Sequence, residues 1–129
     1  MTDEMLVKLA IEAKACAYAP YSGFRVGAAL LTADGKVYTG ANIENISFGA
    51  TNCAERTAVF KAVFDGARKL STIAIASDSE EFIYPCGICR QVLSEFGGRE
   101  IRVLCSSPGG EYRVHTLEEL LPSAFVSFK

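Results

Sequence analysis

At 129 residues, half of them hydrophobic, the chain is sized for one compact domain, residues 1–129, with a sizeable buried core. No run approaches the ~18 apolar positions of a membrane helix, and the opening Met1-Thr2-Asp3-Glu4-Met5 lacks the basic and apolar regions of a signal peptide; the expectation is a cytoplasmic protein with no membrane partner. Lys and Arg number 13 against 15 Asp and Glu, a formal charge of -2, which offers no basic face to phosphate backbones and argues against nucleic acid as a partner.

Thr2 is an N-cap for a first helix, with Asp3 and Glu4 placed well against its dipole. Leu6, Leu9, Ala10, Ala13, Cys16 and Ala17 recur at helical spacing, and Pro20 is expected to close the element. Phe24 to Thr32 reads as a strand. Asp34-Gly35 is a hairpin turn signal, so Lys36 to Ala41 should return antiparallel. Thr51 or Asn52 can cap a second helix from Cys53 to about Phe64, stopped by Gly66. Ser71 to Ser77 carries consecutive apolar residues, as a strand covered on both faces does. Pro85 suits the start of a third helix, running to Phe96. Ile101 to Cys105 is the next strand and Tyr112 to His115 a short one after it. Thr116-Leu117-Glu118-Glu119 is a capping box opening a last helix, ended by Pro122. Strands alternating with helices imply an α/β fold in three layers, α-β-α, around a five-stranded mixed sheet. The turn between the last two strands is too short for a crossover, so that pair should be antiparallel.

Five cysteines, an odd number, argue against a disulfide framework and for reduced thiols. Cys53, Cys86 and Cys89 fall at the starts of the second and third helices, where partial positive charge favours thiolates. Together they suit one Zn2+ per subunit and leave a coordination position free for water, which separates a catalytic site from a closed structural one. Three thiolates leave the ion with net negative charge, and Arg56 is placed to offset it by donating to ligand sulfurs. Glu55, beside Cys53, is useful as a proton carrier, from metal-bound water to a ring nitrogen and then to a leaving amine. A carboxylate there would also serve simply to stabilise the helix N-terminus. Cys16 and Cys105 read as core thiols, and His115 as a surface or structural residue.

The pattern of a Cys two residues before a Glu, followed by Pro-Cys-x-x-Cys, resembles the zinc deaminases. More closely, the chain resembles the small cytidine deaminases. The likeness runs through Tyr18-Ala19-Pro20-Tyr21-Ser22, Phe24-Arg25-Val26-Gly27-Ala28-Ala29, Asn42-Ile43-Glu44-Asn45, Cys53-Ala54-Glu55-Arg56-Thr57, Pro85-Cys86-Gly87-Ile88-Cys89-Arg90-Gln91 and Leu120-Leu121-Pro122. It implies hydrolysis of cytidine and 2'-deoxycytidine to the uridine products and ammonia, in pyrimidine salvage. It also implies that Asn42 and Glu44 bind the ribose hydroxyls, that Phe24 lies against the pyrimidine, and that the Ala54 backbone N–H meets the base carbonyl. Relatives of this kind are homotetramers in which a C-terminal segment reaches a neighbour's pocket, which would give Phe125 a role in trans. Phe48 stands where many relatives carry Tyr.

Other uses of these residues make different demands. A dithiol redox centre accounts for Cys86 and Cys89 but leaves Cys53 and Glu55 unused. A zinc-stabilised binding module needs a fourth ligand, which would have to be Cys16, Cys105 or His115. Nucleic-acid editing is disfavoured by the acidic charge, and a cytosine-containing antibiotic by the pairing of Asn42 with Glu44.

Overall fold

A computed structural model of the chain describes residues 1–128; Lys129, the last residue of the expected domain, lies outside the described residues. Helix α1 spans Asp3–Ala13, with the Met5 N–H donating to Thr2 Oγ1 at 3.2 Å. It stops well short of Pro20 and tightens into a 3-10 turn, Lys14–Cys16. Tertiary pairing explains the early end. The Tyr18 N–H donates to the Asn42 carbonyl at 2.9 Å, and the Tyr18 carbonyl accepts from Glu44 N at 2.8 Å, so this backbone is committed to a bridge with Ile43 and cannot extend a helix. One expectation changes with it: Cys16 is exposed rather than part of the core, whereas Cys105 is buried.

Strands β1 (Val26–Thr32) and β2 (Val37–Ala41) form a hairpin, followed by α2 (Ala54–Phe64), β3 (Leu70–Ser77), α3 (Gly87–Gly97), β4 (Arg102–Ser106), β5 (Tyr112–Thr116) and α4 (Leu117–Leu120). The five strands lie in the order β2-β1-β3-β4-β5. β1 is antiparallel to both its neighbours, β3 and β4 are parallel, and β4 and β5 are antiparallel. The capping box at Thr116 and Glu119 opens α4. At the third helix Pro85 precedes the cap instead of beginning the helix, and Cys86 is the N-cap.

Alternation along the strands sorts the core into two layers. Ala28, Leu30, Ile73, Ile75, Val103 and Cys105 share one cluster with Ala54, Ala58, Val59 and Ala62 of α2 and Leu93 of α3. Ala29, Ala74, Ala76 and Leu104 share the other with Leu6, Val7 and Ala10 of α1. Helices thus cover both faces of a mixed sheet. Contact between α2 and β2 is backbone to backbone: a Cβ at Gly40 would stand 2.6 Å from the Ala54 carbonyl oxygen.

Because β1 is antiparallel to both β2 and β3, the strands β2, β3 and β4 all run the same way. α2 follows β2 and α3 follows β3, and both pack on one face. Crossovers of this kind bring both helix N-termini to the same sheet edge, beyond the carboxyl ends of the strands.

Candidate functional site

Cys53 is the N-cap of α2 and Cys86 that of α3, with Cys89 one turn further into α3. The three Sγ atoms lie within 4.8 Å of one another, and Cys53 Sγ and Cys86 Sγ are 3.9 Å apart. Tetrahedral zinc with bonds of about 2.3 Å would hold two sulfurs about 3.8 Å apart. The donor set therefore fits zinc, although all five cysteines are free thiols here. Cys16, Cys105 and His115 are not in the cluster, so the fourth ligand that a closed structural centre requires does not come from them.

Charge on the trio is strongly redistributed. Cys53 is drawn down to about 5, first by a hydrogen bond from the Cys89 thiol and, against burial, by Arg56. Cys89 is pushed up by sharing its proton with Cys53, by burial and by the Glu55 carboxylate. Three sulfurs this close cannot all ionise without a cation between them. Arg56 Nη2 donates to Cys53 Sγ at 3.4 Å and to the Thr51 carbonyl at 3.4 Å. Arg56 thus reaches a ligand sulfur directly.

Glu55, in the first turn of α2, is only 5% exposed. Burial pushes its carboxyl up to about 7, with the Cys53 thiolate adding to the shift against the helix amide, the Cys89 thiol and Arg56. A carboxyl poised there both accepts and returns a proton near neutral pH. Ala54 is fully buried beside it at the start of α2, where backbone N–H groups lack intrahelical partners.

Cys53, Cys86, Ala54 and Glu55 open onto a cavity of about 200 Å3 whose lining also includes Asn42 and Thr51. Asn42 is fastened in place: Oδ1 accepts from Val26 N and Nδ2 donates to the Phe24 carbonyl, both at 2.9 Å. Glu44 sits outside this space, in a neighbouring cavity of about 220 Å3 with Tyr21, Ser22, Phe48 and Thr51. Its carboxylate accepts from Tyr21 N at 3.0 Å, from Ser22 N at 3.1 Å and from the Ser22 hydroxyl. The Ser22 hydroxyl and these amides hold it below the usual carboxylate range. Thr51 is common to both cavities. Phe24 and Phe125 are half-exposed and exposed, and neither lines the thiol cavity. The Phe125 carbonyl accepts from Gln91 Nε2 at 2.8 Å, and its ring meets Phe128 edge-on.

Sequence reasoning missed Val26, Thr51, Ile83 and Tyr84 as walls of the thiol cavity. Ile83 and Tyr84 precede the Pro-Cys-x-x-Cys segment, and that adjacency was the available signal. His115 is half-buried, 5.5 Å from the Tyr84 ring in an edge contact.

A mixed sheet that sets three clustered thiols beside a buried carboxyl is the arrangement of the zinc-binding deaminase class of enzymes. The sequence profile described as "Cytidine and deoxycytidylate deaminase zinc-binding region" matches residues 1–105. The chain belongs to this cytidine deaminase family and is an enzyme of it. It is 50% identical over 127 residues to a cytidine deaminase of Halalkalibacterium halodurans, covering 98% of this chain and 96% of the relative. A cytidine deaminase of Sporosarcina psychrophila is 47% identical, with 97% and 92% covered. The crystal structure of cytidine deaminase from Burkholderia pseudomallei superposes with a TM-score of 0.93 at 47% identity, covering 97% of this chain and all of that one. Among the described residues, no helix is long and apolar enough to cross a membrane.

Proposed function

We propose that the chain, as one domain over residues 1–129, is a zinc-dependent deaminase of free pyrimidine nucleosides. It hydrolyses cytidine and 2'-deoxycytidine to uridine and 2'-deoxyuridine with release of ammonia, in pyrimidine salvage in the cytoplasm. The observation that carries this reading is the trio of sulfurs within 4.8 Å of one another, two of them, Cys53 and Cys86, lining one cavity together with buried Glu55. Two small cavities meeting at Thr51 also support it. Each falls below the ~300 Å3 at which small-molecule pockets begin, so a base and a sugar suit them jointly.

Cys53, Cys86 and Cys89 would hold the zinc, which when bound supplies a Lewis acid and a water acidified to a pKa of about 7. Glu55 then carries two protons in turn, each received at its carboxylate, the first delivered to the ring nitrogen and the second to the departing amine. The Ala54 N–H offers a hydrogen bond to the base carbonyl, and Arg56 holds Cys53 Sγ in an ionised state. Asn42 orients the nucleoside near the start of β1, Glu44 takes the ribose hydroxyls, and Phe24 borders the base from the rim.

Association into a homotetramer belongs to the same proposal. The tail exposes Phe125 at 60% and Phe128 at 98%, apolar surface of the kind a partner subunit covers, with Phe125 acting on the partner's pocket. The deciding experiment adds cytidine to purified protein and follows the ultraviolet loss of the amino-pyrimidine, with zinc assayed on the same sample. Turnover with one zinc per chain supports the reading; a zinc-replete protein inert toward cytidine and 2'-deoxycytidine overturns it.

A further inference from the structure

Tyr84 lines the thiol cavity and also an outer cavity of about 410 Å3 that it shares with Glu80, Glu81, Phe82 and Arg113. Tyr84 thus stands between the two. The ring is held from behind by alternate residues of edge strand β5. Arg113 Nη1 donates to the Tyr84 hydroxyl at 3.3 Å while its guanidinium lies 4.1 Å over the Phe82 ring. His115, two positions along and so on the same face of β5, meets the Tyr84 ring at 5.5 Å and 60°. Anchoring from a sheet makes this a fixed wall.

The wall stands at the reacting end of the site. Tyr84 is two residues before Cys86, no more than about 7 Å along the backbone, and Glu55 lines the same cavity. In a deamination, the carbon attacked next to these groups is the one that bears the leaving nitrogen. Any substituent on that nitrogen must occupy the space beside it.

We infer that Tyr84 is the specificity-determining residue for the leaving group, excluding pyrimidine nucleosides whose exocyclic nitrogen carries an alkyl chain by closing the thiol cavity off from the outer one. This rests on the deaminase reading above. The reaction excluded is balanced in the same way as the normal one. Water gives its oxygen to the ring carbon, one proton to the ring nitrogen and one to the exocyclic nitrogen, the bond from the ring carbon to the exocyclic nitrogen breaks, and an alkylamine leaves in place of ammonia.

The test compares kcat/KM for cytidine with that for N4-methylcytidine and N4-butylcytidine, in the zinc-loaded wild type and in Tyr84→Ala, Tyr84→Val and Tyr84→Phe, with the released amine identified. In the Ala and Val variants the preference for cytidine over the butyl substrate should fall by about tenfold or more, with a smaller fall for the methyl substrate. Should Tyr84→Ala not fold, Tyr84→Val carries the comparison, because it keeps an apolar side chain against the core. Tyr84→Phe retains the ring and should hold the wild-type preference to within about threefold. An unchanged preference in the Ala and Val variants overturns the inference, as does a Phe variant that behaves like them, since the hydroxyl and not the bulk would then be deciding. A wild type inactive on cytidine overturns the deaminase reading and this inference with it; an active wild type with unaltered variants overturns this inference alone.

Discussion

Replacing Gly40 with alanine tests whether the site is positioned by the close approach of α2 to β2. A Cβ there would lie 2.5 Å from Ala58 N and 2.6 Å from the Ala54 carbonyl oxygen, where 3.4 Å begins ordinary contact. Both obstacles are backbone atoms in one helix, so the helix has to move, by roughly 0.9 Å, to restore van der Waals distance. Overpacking of this kind costs about 1–3 kcal/mol, which in a domain of this size lowers Tm by roughly 3–10 °C. Activity should suffer more than stability. Ala54 lies between Cys53 and Glu55, and a displacement near 1 Å in a reacting group costs on the order of a hundredfold in rate. Thermal melting, zinc content and cytidine turnover would be measured on Gly40→Ala beside Gly109→Ala, whose Cβ meets nothing within 4 Å and which should stay within about 0.5 kcal/mol of wild type. A Gly40→Ala protein with wild-type melting and turnover would refute the reasoning.

Glu55→Gln should lose about a hundredfold to ten-thousandfold in turnover while retaining its zinc; a near-normal rate would remove Glu55 from proton transfer. Glu44→Ala should weaken nucleoside binding by about tenfold or more and erase most of the advantage of cytidine over free cytosine, as steady-state kinetics on both would reveal; undiminished discrimination would refute the ribose role. The Arg25 guanidinium and amide, with Lys14 nearby, hold Asp78 down at about 2, below its ordinary 3.8. Its charged form therefore stabilises the fold above the ordinary value, and that contribution disappears as pH falls through the window toward 2. Asp78→Asn should flatten the dependence of Tm on pH across that window, and an unchanged slope would show that the contacts carry no net stability.

What could be read from the chain alone was everything written in local spacing. The continuous apolar run of β3, the caps at Thr2 and Thr116, the turn at Asp34-Gly35 and the two cysteine segments need only neighbours a few residues away to be interpreted. They were enough for a mixed five-stranded sheet and for naming the thiols and Glu55. Tertiary structure decided whatever depends on distant partners. Helical periodicity ran on through Cys16, but the Tyr18 backbone was claimed by the 42–44 segment, so the helix ended early and that thiol came to the surface. Glu44 was separated from the thiol cavity by its bonds to Tyr21 and Ser22. Gly40 under α2 carries no local mark, and Tyr84 carries only its place just before the Pro-Cys-x-x-Cys segment, which says nothing of its packing against β5. Their meaning is set by which backbone or ring folding brings against them, and short-range patterns hold no record of that.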